Sequence, residues 1–114
     1  MIAVIFEVIP FIGERHRYLD LAGELRDHLE AMDGFLSVER FESLTTRGKL
    51  LSLSFWRDEE AVRRWRDTEE HRAAQAAGRG GVFAAYRLRV AQVLRDYGLE
   101  DRAEAPEDSR ARHG

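Results

Sequence analysis

The sequence predicts an α+β fold, a four-stranded antiparallel sheet with its helices packed on one face. Three observations predict it. Candidate elements follow in the order strand, helix, strand, strand, helix, strand, which is the ferredoxin-like βαββαβ unit. The first helical segment repeats apolar residues at steps of three and four with charges between them, so it packs by a single stripe. The first strand is apolar on both faces, more than helices on one side of a sheet can cover.

Ile2-Ala-Val-Ile-Phe-Glu-Val-Ile9 is rich in β-branched residues and interrupted only by Glu7, as suits a strand covered on both sides. Pro10 and Gly13 close it. From Arg15 to Met32, Tyr18, Leu21, Ala22, Leu25, Leu29 and Met32 form the helical stripe. Gly34 suits a left-handed position just past that helix. Phe35 to Leu44 reads as a second strand, Thr45-Thr46-Arg47-Gly48 as a hairpin-like turn, and Lys49 to Trp56 as a third strand. In the third strand Leu51, Leu53 and Phe55 share one face, while Leu50, Ser52, Ser54 and Trp56 share the other. The small serines leave room on their side, either for a cavity or for a closely packed helix.

Asp58, followed by Glu59 and Glu60, has the form of a helix start, and Thr68 with Glu69 and Glu70 repeats it. Two short helices with a bend between them are expected. Gly78, Gly80 and Gly81 then form a flexible stop, and a last strand runs from about Tyr86 to Leu94. Its Arg87 and Arg89 share a face with Ala91 and Val93, opposite Tyr86, Leu88 and Val90. From Leu99 onward the chain is charged, holds Pro106 and has little to bury, the composition of a disordered tail. The expected organisation is one folded domain over 1–95 and a charged tail over 96–114.

Composition narrows the function classes. At 114 residues with a net charge of −3, the chain has room for one core and lacks the basic, aromatic-interleaved face that nucleic acid requires. Without cysteine it has neither a thiolate nucleophile nor a cysteine metal site, and His16, His28, His71 and His113 show no paired-ligand spacing. The opening apolar run is too short for a membrane span and wrongly flanked for a signal peptide. These features lead to the expectation of a soluble cytoplasmic protein with no metal, no nucleic acid and no membrane partner. The doubly apolar first strand adds one partner, a second copy of the same sheet, which would give a symmetric homodimer with a barrel-like core.

The bend near Thr68 bears on chemistry. On one unbroken helix Trp65 and His71 would point roughly 240° apart. A fresh start at Thr68 lets both rings look into one space. Two arrangements satisfy the pattern: either both rings line a pocket, or Trp65 fills the core beside Ala61 and Val62 while His71 faces solvent.

The stretches Phe35-Leu36-Ser37-Val38-Glu39-Arg40-Phe41, Ser52-Leu53-Ser54-Phe55-Trp56 and Glu59-Glu60-Ala61-Val62, with Trp65 and His71-Arg-Ala-Ala-Gln75, resemble the antibiotic biosynthesis monooxygenase family. The resemblance covers residues 1 to about 95. It implies a dimeric α/β barrel and points to several activities, among them cofactor-independent oxygenases of aromatic polyketides, quinol oxygenases and haem-degrading proteins. In the polyketide oxygenases the tryptophan matching Trp65 lines the pocket. A tyrosine of theirs corresponds to His71 here, and an asparagine to Ala61. In the haem-degrading members an axial histidine corresponds to Gln75, and an asparagine falls at Phe6 or Glu7.

Oxygen in its triplet ground state reacts slowly with closed-shell organics unless a cofactor or the substrate itself hands it an electron. The leading expectation is a monooxygenase without cofactor, acting on a small phenol-, quinol- or polyketide-like aromatic. His71 would be the base and Trp65 a catalytic-site wall. Trp56, Phe83, Tyr86, Arg40, Arg87 and Glu7 are the candidates for substrate binding. An alternative is a non-catalytic or stress-response dimer that binds a small hydrophobic ligand, and a third is a haem-binding or haem-degrading protein.

Overall fold

The apolar run at the start of the chain forms β1 (Ile2–Pro10), and a computed structural model describes residues 1–114 with every side chain except that of Glu69. The elements that follow are α1 (Arg15–Glu30), β2 (Phe35–Glu42), β3 (Leu50–Trp56), α2 (Glu59–Arg66), α3 (Glu69–Ala77) and β4 (Phe83–Gln92). Strand order is β2-β3-β1-β4, and every neighbouring pair is antiparallel. This is the ferredoxin-like α+β architecture expected from the order of elements. The apolar β1 and the serine-bearing β3 are the two inner strands.

Register decides which residues meet. Phe6 lies opposite Ser52 on one side and Leu88 on the other, and Ser52 lies opposite Arg40. Val4, Ser54, Val38 and Val90 form the next row. These even-numbered residues face the helices. Two clusters hold that layer together, one of Leu29, Trp56, Ala61, Val62 and Trp65, the other of Val8, Tyr18, Leu50 and Val82. The Trp56 indole is 1 % exposed. Its N–H donates to Ser54 Oγ at 2.9 Å, and Phe35 meets it edge-on at 5.3 Å between centroids. A buried indole wants such a partner for its polar edge.

The odd-numbered face carries Ala3, Ile5, Leu51, Leu53 and Phe55, with Glu7 held between Lys49 Nζ at 3.1 Å and Arg89 Nη1 at 3.5 Å. Lys49, and Arg89 after it, keep the Glu7 carboxyl below the usual carboxylate range.

Gly34 has φ of +87°, and a Cβ there would stand 2.6 Å from that of Ala61. Only glycine therefore lets α1 turn into β2 this close to α2. Arg57 locks the same corner, donating to both oxygens of Asp33 at 3.1 and 2.9 Å.

Several boundaries differ from the sequence-based expectation. α1 stops at Glu30 and β2 at Glu42, each two residues early. β4 begins at Phe83, because a wide turn over Gly78–Val82, with Gly81 at φ of +129°, sends the chain straight back to the sheet. The Phe11 N–H donates to the Val82 carbonyl there, at 2.9 Å. The segment expected to be disordered instead carries a short helix, α4 (Glu107–His113). Acidic residues in its first turn and basic ones in its last suit the helix dipole, and the Arg102 side chain donates to the Gly98 and Gly114 carbonyls and to Ser109 Oγ. Among the described residues no helix is long and apolar enough to cross a membrane.

Candidate active site

Thr68 makes the site by interrupting a helix. Its Oγ1 donates to the Trp65 carbonyl at 2.8 Å and accepts from the His71 N–H at 3.2 Å. One hydroxyl thus closes the end of α2 and caps the start of α3. Asp58 caps α2 in the same manner, its Oδ1 accepting from the Ala61 N–H at 2.9 Å. Both starts stand where the sequence placed them, and the bend swings the imidazole of His71 edge-on to the indole of Trp65, with centroids 5.5 Å apart and planes at 67°.

Both rings line a cavity of about 240 Å³ between the helices and the even-numbered face of the sheet. Its walls come from both core clusters, so the space lies where the two would otherwise merge. Ser52 and Ser54 form part of its floor. Short side chains at these two positions leave the volume open, and the cavity alternative of the serine pattern is the one the structure contains. A volume this size falls just below the roughly 300–1,000 Å³ of pockets for drug-sized ligands. It suits a molecule of one or two rings.

His71 is half-buried, and its Nδ1 is shut off from solvent without a hydrogen-bond partner. Burial lowers its pKa below the ordinary 6.5; the approach of the ring to the Arg66 backbone carbonyl, which would accept a hydrogen bond from it, opposes this, while the Arg66 charge adds to it. The imidazole is therefore neutral at pH 7, with a nitrogen lone pair free to accept a proton.

Of the residues singled out from sequence, His71, Trp65, Trp56, Phe83, Tyr86 and Arg40 all line this cavity. Glu7 and Arg87 do not. They face each other in register on the odd-numbered side of the sheet, where Glu7 is engaged by Lys49 and Arg89. Alternation along β1 and β4 separates them from Phe6 and Leu88; the expectation that they join the same pocket is corrected on that ground.

The sequence reading passed over several wall residues. Tyr18, 5 % exposed, was grouped with the leucines of the α1 stripe, yet it brings its ring into the cavity. Its hydroxyl is raised in pKa by burial and pulled back in part by the neighbouring Arg40. A hydroxyl-bearing aromatic inside an aliphatic stripe was the available signal. Gln75, Arg66 and Arg79 also reach the cavity, and Arg79 Nη2 lies 3.5 Å from Tyr86 Oη. Among the described residues no three His, Cys, Asp or Glu side chains come together as a metal-ligand set.

A family model described as antibiotic biosynthesis monooxygenase matches residues 1–77. A jasmonate monooxygenase of Pyricularia oryzae is 50% identical over 93 residues, 82% of this chain and 43% of that protein. The uncharacterized protein YqjZ of Bacillus subtilis is 39% identical over 62 residues, 54% of this chain and 53% of its own length. The chain thus spans about half the length of the curated relatives it matches. Among solved structures, Rv0793 from Mycobacterium tuberculosis superposes with a TM-score of 0.76 at 21% identity, covering 85% of this chain and 98% of that one. At that identity the likeness speaks to the fold.

Proposed function

The chain belongs to the antibiotic biosynthesis monooxygenase family, and from that premise we propose that the cavity oxygenates a small electron-rich aromatic, a phenol or quinol of one or two rings. The observation that carries this reading is the half-buried His71, with Nδ1 unpartnered, held edge-on to Trp65 at a mostly apolar cavity.

The proposed chemistry needs only the substrate, oxygen and one base. His71 takes the phenol proton, leaving a phenolate rich enough to pass one electron to oxygen. The phenoxyl radical and superoxide so formed combine at the para carbon, making a C–O bond. The imidazolium returns its proton to the peroxide. Loss of the para hydrogen as a proton, with cleavage of the O–O bond, releases water and leaves a quinone. In sum, phenol and oxygen give quinone and water, and His71 ends as it began. Apolar walls such as Trp56, Leu25 and Leu29 keep bulk water from quenching the charged intermediates.

Partnership follows from the other face of the sheet. Leu51, Leu53 and Phe55 keep part of their surface there, on the side away from the cavity. A second copy laid on that face would cover them and form the barrel.

The test uses 1,5-dihydroxynaphthalene, which has a free para position, in oxygen-saturated buffer with no added metal or flavin. The expected result is oxygen uptake above the uncatalysed rate, with one labelled atom from ¹⁸O₂ in the quinone and the other in water. A general base contributes roughly 10²–10⁴-fold, so His71→Ala should lose at least about 100-fold. Undiminished uptake in that variant overturns the assignment of the base. Ligand binding without any uptake favours instead a non-catalytic carrier of a small hydrophobic molecule.

A further inference from the structure

The charged groups at the cavity are all of one sign. Arg40, Arg66 and Arg79 line it, and no carboxylate does among the described residues, although the chain as a whole has a net charge of −3. Of the three, Arg40 is the most deeply committed. It projects from β2 beside Ser52, its register partner on β3, and its Nε is buried without a hydrogen-bond partner. Glu42, two residues along the same face, is already paired with Arg15 at 3.0 Å. A guanidinium nitrogen shut away from water and left unpaired is costly. The cost is removed when an anion arrives.

We propose that the ligand of this cavity carries a carboxylate, held by Arg40 with the Ser52 and Tyr18 hydroxyls beside it, while its apolar body extends toward Trp65 and His71. This rests on the reading of the cavity as the substrate site and adds the class of molecule that enters it. A carboxylate fits better than a phosphate. One guanidinium fork matches the two oxygens of a carboxylate, whereas a dianion in such an apolar surrounding would need more than one buried cation. The two hydroxyls can donate to the oxygens that the guanidinium leaves open.

Calorimetric titration at pH 7.5 with 2-naphthol and 6-hydroxy-2-naphthoic acid tests it, since the two probes differ only in the carboxylate. The acid is the more water-soluble of the pair, so a cavity driven by apolar contact alone would prefer the naphthol. The expected result is the reverse: the acid binds about tenfold tighter or more, the size of one charge-assisted hydrogen bond. Arg40→Met should abolish that preference, and Arg87→Met, on the opposite face of the sheet, should leave the preference intact. Equal or weaker binding of the acid to the wild type overturns the proposal, as does a preference that survives Arg40→Met. The wild-type ratio needs no variant and decides the matter if Arg40→Met fails to fold. Titration under nitrogen separates this inference from the oxygenase reading. An acid preference without oxygen uptake keeps the anion site and removes the chemistry; uptake without the preference does the opposite.

Discussion

Replacing Ser52 with leucine puts the hollow between sheet and helices to a direct thermodynamic test. The side chain of Ser52 points from β3 into the cavity, between Phe6 and Arg40 in register. Leucine exchanges one hydroxyl for three carbons. Buried in empty space, these gain about 0.8 kcal/mol per carbon, roughly 2 kcal/mol in all. Fixing the leucine rotamer takes back about 0.5–1 kcal/mol, leaving a net stabilisation of ~1–2 kcal/mol. In a space already filled, the same change forces neighbours out of their rotamers and costs roughly 1–3 kcal/mol. The two cases differ in sign. Urea denaturation at one fixed protein concentration measures it: the midpoint should rise with an unchanged slope, while affinity for 2-naphthol falls at least tenfold. A lower midpoint, or unimpaired binding, would show that the volume is not available and that the functional argument built on it is mistaken.

Three further outcomes follow from the same geometry. Because burial holds the His71 pKa below 6.5, the unfolded chain binds the proton more tightly than the folded one; stability is full above pH 6.5 and declines as pH falls through the lowered value, and a pH series of kcat/KM for 1,5-dihydroxynaphthalene should stay flat at neutral pH and drop only on the acid side. Trp56→Ala removes an indole that is 1 % exposed and should cost about 3–5 kcal/mol, read as a large fall in the urea midpoint. Leu53→Glu, on the odd-numbered face, should convert a dimer into monomers in sedimentation velocity; a wild type that already sediments as a monomer would remove the barrel.

Local chemistry made the fold legible. Caps at Asp58 and Thr68 are side-chain events within three residues, and the sequence displays them completely. The serine-bearing face of β3 followed from strand alternation. Relative placement of distant strands did not. Glu7 and Arg87 were assigned to the pocket because which face of β1 and β4 turns toward the helices depends on pairing across many residues, and composition alone is silent on it. Tyr18 was hidden for a related reason: a stripe at helical spacing looks the same whether it meets a solid wall or a void. The order within 96–114 includes polar contacts from Arg102 and a charge-matched α4 beside the single buried Ala105, and hydropathy patterning does not display contacts of that kind.

The single hydroxyl that joins Trp65 to His71 has an evolutionary consequence. The two rings meet edge-on, but their relative tilt is inherited from position 68, which does not line the cavity. Drift at that one site, for instance from threonine to serine or asparagine, could retune the angle between indole and imidazole while both stay in place. Divergence of reactivity among related chains would then be written in a capping residue that an inventory of pocket-lining side chains omits.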